Sequence, residues 1–312
     1  MSAFEIALSL RARVTGRVTE NAPLSGFTTF RVGGPADVLV EAESVDDLRA
    51  VADHREDLPL AIVGRGSNLL VSDDGFRGIA VRLGRAFRSH ELVADTVLNI
   101  GGAVHLPAAA RLTARLGLTG FEFAAEIPAT FGGAVRMNAG AHDGSMAGVL
   151  VDAGLVNLRT GNIRTIDVAD LDYSYRSSNL DADEIVTGGS IRLSPADPRD
   201  VAARIADYLR WRRENQPAGR SAGSVFKNPT GASAGRLIDQ AGAKGMRVGG
   251  AEVSSVHANF IVASPDARAD DVWSLIWSVH TLVRERTGID LEPEVRFLGN
   301  FPDRRAQRTG NE

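Results

Sequence analysis

One short stretch of this 312-residue chain places a hydroxyl, an ammonium and an amide close together. In residues 223–229, Ser224 follows a glycine, and Lys227 and Asn228 follow an apolar pair. A hydroxyl can donate a proton, and an ammonium beside an amide can bind an anionic substrate. The stretch does not match the Gly-x-Ser-x-Gly turn that carries a nucleophilic serine. Its residues therefore suit proton donation beside an anion site, and they equally suit an ordinary loop serine with a solvated lysine.

The rarity of lysine favours the functional interpretation. The chain has 35 basic residues, of which only Lys227 and Lys244 are lysines. A site that needed only positive charge could hold arginine, as nearly every other basic position does, whereas a compact ammonium differs in shape from a planar guanidinium. The bias thus points to a ligand role for both lysines, although genome composition could also produce it.

Two glycine-rich stretches could bring the backbone close to a ligand. Residues 64–68 follow an apolar strand, but they lack the lysine of a P-loop and the third glycine of a dinucleotide fingerprint. Glycines allow positive φ and exposed N–H groups, so a phosphate cradle and a plain turn remain about equally open. Residues 127–140 are rich in small side chains, and composition alone favours a packed loop there.

Alternating charges mark the last predicted strand. Glu292, Glu294 and Arg296 alternate with apolar residues, and alternate side chains of a strand share one face. Two carboxylates and a guanidinium therefore lie on the same polar side. The alternative is a solvated edge strand with a weak surface ion pair, with which Pro293 agrees.

A second arginine lies among tyrosines. Tyr173 and Tyr175, two of the three tyrosines of the chain, lie within three positions before Arg176. By itself this pattern indicates an aromatic–arginine contact at the surface. The six histidines show no metal-ligand spacing, so no metal site is predicted.

Composition bounds the class of protein. The length suggests two or three domains, and the hydrophobic content of 44% with 24% charged residues is that of a soluble globular protein. A net charge of −4 argues against nucleic-acid binding. We find neither a signal peptide nor an apolar run of the ~20 residues that a membrane span needs, and expect a cytoplasmic protein. The absence of cysteine excludes disulfides, a cysteine nucleophile and a cysteinyl flavin link.

Hydrophobic periodicity and turn residues indicate the elements that must position these groups. We predict a hairpin-like return over residues 71–83 and a loop with short structured pieces over residues 126–144. Predicted strands are residues 36–42, 60–63, 150–158, 162–168, 258–263 and 291–298. Predicted helices are residues 44–54 with Ser44 as the N-cap, 106–116, 198–214, 234–241, and 269–286 ended by Gly288.

Taken in order, the motifs resemble one family, the UDP-N-acetylenolpyruvoylglucosamine reductases. The combination is highly specific, although no single motif would be. It covers roughly residues 20–300 and comprises residues 21–24, 27–36, 66–70, 175–176, 223–229, 243–246 and 291–297.

The resemblance implies an α+β fold. It implies a two-subdomain FAD-binding fold of the vanillyl-alcohol-oxidase (PCMH) type followed by a C-terminal α+β substrate domain. We accordingly expect FAD-binding subdomain 1 in residues 1–80 and subdomain 2 in residues 81–215. The substrate domain is expected in residues 216–300, followed by a polar tail in residues 301–312.

The resemblance also implies a reaction of peptidoglycan precursor synthesis. FAD is bound non-covalently and is reduced by NADPH; flavin N5 then delivers hydride to UDP-N-acetylglucosamine enolpyruvate, which becomes UDP-N-acetylmuramate. The matching catalytic positions are Ser224 as the proton donor, with Arg176 and Glu294 stabilising the enol-like intermediate.

Binding residues carry over in the same way. The substrate would be held by Lys227, Asn228, Lys244 and Arg296. The flavin would be held by Gly64, Arg65, Gly66, Ser67, Asn68, Thr130, Gly132, Gly133, Asn138 and Gly140. Beyond NADPH and the enolpyruvyl nucleotide, no nucleic acid or membrane partner is expected, and a monomer is the expected state.

This chain departs from the family pattern at two positions. The usual Gly-Ile-Pro-Gly-[Ser/Thr] has Glu126 and Ala129 in place of its glycines, which bears on the loop geometry and on FAD affinity. The short segment between Arg176 and Ser224 places the chain in the branch that lacks a tyrosine-bearing insertion. Two alternatives are an oxidase on the same flavin fold, which Ser224 and Glu294 disfavour, and a non-enzymatic flavin or nucleotide binder.

Overall fold

The computed structural model describes residues 2–55 and 57–302. The chain forms two compact units, each built from non-contiguous segments. Unit 1 contains the described residues of Met1–Asn21, Asp37–Arg65 and Gly78–Glu214, and unit 2 contains those of Ala22–Ala36, Gly66–Arg77 and Asn215–Glu312. A boundary near residue 215 is common to this division and to the sequence-based one. The assignment of residues 1–80, 81–215 and 216–300 as two flavin subdomains and a substrate domain stays a prediction.

Within the described residues, the helices are α1 (Ala3–Arg11), α2 (Val45–His54), α3 (Leu106–Arg115), α4 (Phe131–Arg136), α5 (Pro198–Asn215), α6 (Ala234–Gln240) and α7 (Ala269–Thr287). The strands in the first half of the chain are β1 (Arg17–Pro23), β2 (Pro35–Ala42), β3 (Leu60–Ile62), β4 (Leu69–Val71), β5 (Phe76–Leu83), β6 (His90–Ala94), β7 (Val97–Gly101), β8 (Leu118–Thr119), β9 (Gly140–Ala141), β10 (Gly144–Ser145) and β11 (Leu150–Asn157). The remaining strands are β12 (Ile163–Asp167), β13 (Glu184–Arg192), β14 (Ser194–Pro195), β15 (Arg247–Val248), β16 (Ala251–Val253), β17 (Ile261–Ala263) and β18 (Arg296–Leu298).

Two larger sheets dominate the first part of the fold. One has the strand order β1-β2-β5-β3, with β3 and β5 parallel. The other has the order β12-β11-β13-β7-β6 and is antiparallel throughout. The antiparallel sheet contributes to both hydrophobic clusters of unit 1, and the first sheet contributes to one of them. Phe121 and Phe131 are the largest fully buried side chains of the cluster that the antiparallel sheet shares with α3 and α4.

Helix α2 shows how local sequence sets an element of unit 1. The Ser44 hydroxyl accepts the N–H of Asp47 at 3.0 Å, as an N-cap does. The Asp47 carboxylate is buried and accepts the N–H groups of Glu43 and Thr15, each at 2.8 Å. Burial alone would raise the pKa of Asp47, but these hydrogen bonds hold it below its ordinary value.

Helix α7 organises unit 2. Its apolar stripe packs into the core of the unit, and Gly288 ends it in the left-handed conformation at φ 72°. The carboxylate of Asp73 accepts the N–H groups of Ala269 and Asp270 at 3.0 Å each. This cap ties residues 66–77 to the C-terminal part of the chain. A three-stranded antiparallel sheet, β15-β16-β17, and the parallel pair of β4 and β18 complete the unit.

Several predicted elements are confirmed. Helices α2, α5 and α7 begin and end within two residues of their predicted limits, and β11 pairs antiparallel with β12. The predicted hairpin-like return over residues 71–83 is wrong, because β4 pairs with β18 whereas β5 pairs with β3. Of the predicted strand 291–298, only Arg296–Leu298 is a strand. Distant pairing partners decided these two cases. The predicted loop with short structured pieces over residues 126–144 is confirmed, and its pieces include helix α4 and strand β9.

The predicted polar tail falls mainly outside the described residues, which end at residue 302. At its start, the ring of Phe301 stacks on Trp273 with 6.2 Å between centroids. None of the helices described above combines the length and the apolar character that a membrane crossing requires.

Candidate functional site

Unit 1 contains a cavity with about 600 Å³ of empty volume, part of which opens to solvent. Its walls come from segments that are far apart in the sequence. Four of the predicted flavin-binding residues line it, namely Gly64, Thr130, Gly132 and Gly133. The cavity is therefore a candidate cofactor site.

Glycines shape one wall of this cavity because side chains would not fit. A Cβ atom at Gly64 would lie 2.7 Å from Thr130 Oγ1, and one at Gly132 would lie 2.8 Å from the carbonyl oxygen of Val186. At Gly102 a Cβ atom would overlap the same carbonyl group. Real Cβ atoms essentially never approach other atoms so closely, so the backbone at these positions must be free of side chains.

Three arginines and a histidine line the same space, together with Glu184. Arg82, Arg88, His105 and Arg136 line the cavity. Burial lowers the pKa of His105, and the positive charges of Arg65, Arg88 and Arg82 lower it further. The positive charges of these arginines favour an anion beside them.

Sequence analysis missed most of these side chains. Arg65 was predicted as a site residue, but Arg82, Arg88, Arg136 and His105 were not. A signal for His105 is present, since it follows the Gly101–Gly102 pair and directly precedes the apolar stripe of α3. No comparable local signal marks Arg82 or Arg88, which reach the cavity only because β5 and the turn after it pass beside it.

Thr130 and Arg136 hold the wall in place. The Thr130 hydroxyl accepts the N–H of Gly133 at 3.3 Å and so caps α4. At the other end of this helix, the guanidinium of Arg136 donates to the carbonyl oxygens of Leu180, Asp181 and Glu184. The wall is thereby fixed by hydrogen bonds at both ends of α4.

The residues present fit an FAD molecule. Side-chain-free backbone suits a flat or closely approaching group, and the guanidinium groups of Arg82 and Arg88 suit a diphosphate. FAD would thus be held by the glycine wall and by the cations of the cavity, with no covalent link to a cysteine, which the chain does not contain.

The other predicted flavin-binding residues lie elsewhere. Asn138 precedes the β9–β10 hairpin, its Oδ1 accepts the N–H of Ala147 and its Nδ2 donates to the Ser174 carbonyl, both at 3.0 Å. Gly140 lies in β9, in the same unit. Gly66, Ser67 and Asn68 belong to unit 2.

Arg176 lies in a tight loop of unit 1. The loop is closed by two backbone hydrogen bonds of 3.2 Å between Ser174 and Ser177. Arg176 itself has φ 57°, a left-handed conformation that is uncommon for a residue with a side chain. Its Nη2 donates to the carbonyl oxygen of Gly140 at 2.9 Å. The guanidinium is therefore oriented by the β9–β10 hairpin.

In unit 2, backbone pairing brings Ser224 and Glu294 together although they are 70 positions apart. The N–H of Glu294 donates to the carbonyl oxygen of Val225 at 2.7 Å, and the N–H of Lys227 donates to that of Glu292 at 2.9 Å. The predicted acid and the predicted carboxylate thus lie on adjacent, paired segments.

Three of the predicted substrate-binding residues, Lys227, Asn228 and Lys244, also lie in unit 2. Lys227 Nζ binds Glu292 Oε1 at 2.7 Å, and Lys244 Nζ binds Asp239 Oδ2 at 2.7 Å. Asn228 Oδ1 accepts the N–H of Ala234 at 2.9 Å. Both lysines are thus held by carboxylates, which an anionic ligand would have to displace or join.

Asn68 connects the first motif of unit 2 to the last one. Its Nδ2 donates to the carbonyl oxygen of Glu294 at 2.9 Å, and its own carbonyl oxygen accepts the N–H of Arg296 at 2.9 Å. Three predicted site residues from opposite ends of the sequence are therefore linked directly.

Comparison with known proteins identifies the family. Residues 36–167 match the model of the FAD binding domain, and residues 215–298 match that of the UDP-N-acetylenolpyruvoylglucosamine reductase C-terminal domain. A reductase of this name from Paramagnetospirillum magneticum is 42% identical over 289 residues, which are 92% of this chain and 94% of the relative. The chain belongs to the UDP-N-acetylenolpyruvoylglucosamine reductase family. The predicted resemblance is thereby confirmed.

Further relatives agree along nearly the whole length. The UDP-N-acetylenolpyruvoylglucosamine reductase of Bacillus subtilis is 38% identical over 300 residues, 95% of this chain and 98% of the relative. The crystal structure of the Thermus caldophilus enzyme superposes with a TM-score of 0.81 at 38% identity, covering 91% of this chain and 100% of that one. Together with the match to the FAD binding domain, the superposition confirms the predicted fold class, which is an α+β fold with an FAD-binding part.

Proposed function

We propose that the chain reduces UDP-N-acetylglucosamine enolpyruvate to UDP-N-acetylmuramate, a step of peptidoglycan precursor synthesis, with NADPH as the electron donor. The observation that carries the proposal is the match to reductases of this name over more than nine-tenths of the chain. The chemistry that FAD supplies when bound is transfer of a hydride to the enolpyruvyl double bond.

Ser224 is proposed as the proton donor. Hydride addition to one carbon of the double bond leaves negative charge on the neighbouring carbon and on its carboxylate. A carbanion of this kind is basic enough to accept a proton from a hydroxyl. The pairing of residues 225–227 with residues 292–294 supports this role, because it fixes the backbone beside Ser224 before the substrate binds.

Arg176 and Glu294 are proposed to stabilise the enol-like intermediate. Preorganised donors that face developing charge lower the barrier without reorganising during the reaction. The guanidinium of Arg176 is such a donor, and the carboxyl group of Glu294 is one only in its protonated form. The hydrogen bond from Arg176 to Gly140 and the backbone link from Glu294 to Val225 are contacts that would preorganise the two residues. Lys227, Asn228, Lys244 and Arg296 would bind the carboxylate and the diphosphate of the substrate.

Anaerobic single-turnover measurements test the proposal. NADPH should reduce the bound flavin, and UDP-N-acetylglucosamine enolpyruvate should then reoxidise it. In Ser224→Ala the reduction by NADPH should persist, while reoxidation should slow by ~10²–10⁴-fold, the usual cost of losing an acid catalyst.

The exposed serine at position 255 provides the control, and Ser255→Ala should leave both half-reactions unchanged. A wild-type flavin that the enolpyruvyl nucleotide fails to reoxidise would refute the function. Equal losses of both half-reactions in Ser224→Ala would refute the acid role alone.

A further inference from the structure

Glu126, one of the two departures from the family pattern, is buried rather than directed at solvent. Only 7% of its surface is exposed. Its Oε1 lies 3.1 Å from Nε2 of His142, and its Oε2 accepts no hydrogen bond from the residues that the structure describes. A buried carboxylate is costly unless nearby donors and positive charges offset its desolvation. The contact with His142 therefore offsets part of the desolvation cost of the Glu126 carboxylate.

Positive charge also reaches Glu126 from helix α5. Burial lowers the pKa of Arg212, and the Glu126 carboxylate opposes this shift. Glu126 does not line the cavity of unit 1 as the structure describes it. The carboxylate thus faces the hairpin and α5 instead of the proposed diphosphate site.

His142 forms the turn of the β9–β10 hairpin and has φ 51°. Its ring stacks on Tyr208 with 3.8 Å between centroids and an interplanar angle of 12°, and it meets the ring of Trp211 edge-on at 5.2 Å. Both aromatic residues belong to α5. The tip of the hairpin is therefore fastened by Glu126 and by two rings of this helix.

The other end of the hairpin contacts the predicted catalytic arginine. In the hairpin, Gly140 pairs with Ser145, and a Cβ atom at Gly140 would lie 2.5 Å from the carbonyl oxygen of Gly144. This close packing leaves the Gly140 carbonyl group little freedom. That carbonyl oxygen accepts Nη2 of Arg176 at 2.9 Å. Any shift of the hairpin would therefore move the guanidinium.

We propose that Glu126 is a positioning residue, which orients Arg176 through His142 and the β9–β10 hairpin. The proposal rests on the function proposed above, in which Arg176 stabilises the enol-like intermediate. The glutamate that replaces the usual glycine then serves the reoxidation of the flavin by the enolpyruvyl nucleotide, and it does not impair the flavin site.

The holoenzyme variant Glu126→Ala tests this role. Flavin content and reduction by NADPH should stay within about twofold of wild type, while reoxidation by the enolpyruvyl nucleotide should slow on the order of tenfold, because displaced catalytic groups lose rate steeply. Glu126→Gln keeps an oxygen that accepts from His142 and should restore most of that rate. His142→Phe keeps the ring stack but removes the N–H, so it should slow reoxidation like Glu126→Ala. It serves as the second variant if Glu126→Ala does not fold.

Glu122 offers a matched control. It lies on the same turn of 3-10 helix (Glu122–Glu126), is 4% exposed, and its Oε1 binds Nη1 of Arg204 on the same helix α5 at 2.9 Å. Glu122→Ala should lower stability while leaving the reoxidation rate within about twofold. An equal loss of rate in Glu122→Ala would overturn the proposal, since general loosening would then explain both variants.

A double-mutant cycle decides whether Glu126 acts through Arg176. In an Arg176→Ala background, whose slow single turnover is followed to completion, Glu126→Ala should cause no further loss of rate, because coupled residues are not additive. If the two losses multiply, or if reoxidation in Glu126→Ala equals that of wild type, the proposal is wrong. Failure of wild-type reoxidation would instead refute the proposed function, so the two failures are distinguishable.

Discussion

Asn259 and Phe226 are joined by two hydrogen bonds through one buried side chain. The N–H of Phe226 donates to Asn259 Oδ1 at 2.9 Å, and Asn259 Nδ2 donates to the carbonyl oxygen of Phe226 at 2.8 Å. The backbone of Asn259 also accepts the N–H of Val225 at 2.8 Å. On its other side, Val225 accepts the N–H of Glu294. Asn259 therefore holds the segment after Ser224 in place, although sequence analysis gave it no role.

Replacing Asn259 with alanine should destabilise the protein and disturb catalysis together. Both backbone groups of Phe226 would lose their partner in a buried place, and each such group costs about 1–3 kcal/mol. We expect a lower urea midpoint and slower reoxidation of the flavin, with reduction by NADPH retained. Asn179, which is exposed and bonded to the carbonyl oxygen of Asp170, gives the control Asn179→Ala. Unchanged stability of Asn259→Ala would contradict this role.

Arg88 should contribute to FAD affinity through charge. It lines the cavity in unit 1 and lies close enough to lower the pKa of His105. Arg88→Gln should raise the dissociation constant of FAD about tenfold at low salt, since charge-assisted contacts are the stronger ones. The difference should shrink at high salt because ions screen exposed charges. Fluorescence titration of the apoprotein measures it, and Arg85→Gln, from the same turn, should bind FAD like wild type.

Gly102 should not accept a side chain. A Cβ atom at this position would overlap the carbonyl oxygen of Val186. The carbonyl oxygen of Gly102 accepts the N–H of Gly132 at 2.9 Å. Gly102→Ala should lower the free energy of unfolding by about 1–3 kcal/mol, as overpacking does, and should also weaken FAD binding. Around Gly148 no atom lies within 4 Å of such a Cβ, so Gly148→Ala should change stability by less than about 0.5 kcal/mol. Similar melting temperatures for the two variants would count against the steric account.

His105 should make the apoprotein less stable in mild acid. Burial and three arginines lower its pKa from 6.5 in the folded state, so the unfolded chain binds the proton more readily. The contribution of neutral His105 to the free energy of unfolding is therefore complete above pH 6.5, and it is lost as the pH falls through the lowered pKa. Urea unfolding between pH 7.5 and 5 should show a smaller decline in His105→Asn than in wild type. His90→Asn, at an exposed position, should keep the wild-type decline; identical curves for both variants would rule out the effect.

Much of the fold could be predicted because some signals are local. The serine cap and apolar stripe of α2, the stripe of α7 and its terminal glycine depend on residues within a few turns of one another. The Gly223–Pro229 stretch and the Glu-Pro-Glu motif of residues 292–294 are likewise continuous in the sequence. The sequence by itself thus determined the family, the flavin class of cofactor and the identity of Ser224, Arg176 and Glu294 as candidates.

Only the tertiary structure decided which distant residues meet. Strand β4 pairs with β18 across more than two hundred positions, and the predicted return to β5 fails for that reason. Arg82 and Arg88 reach the cavity, and Glu126 turns to His142, through packing that no local pattern encodes. Periodicity and caps record how a segment buries its own surface, whereas the partners of a buried charge or an edge strand depend on the whole chain having folded.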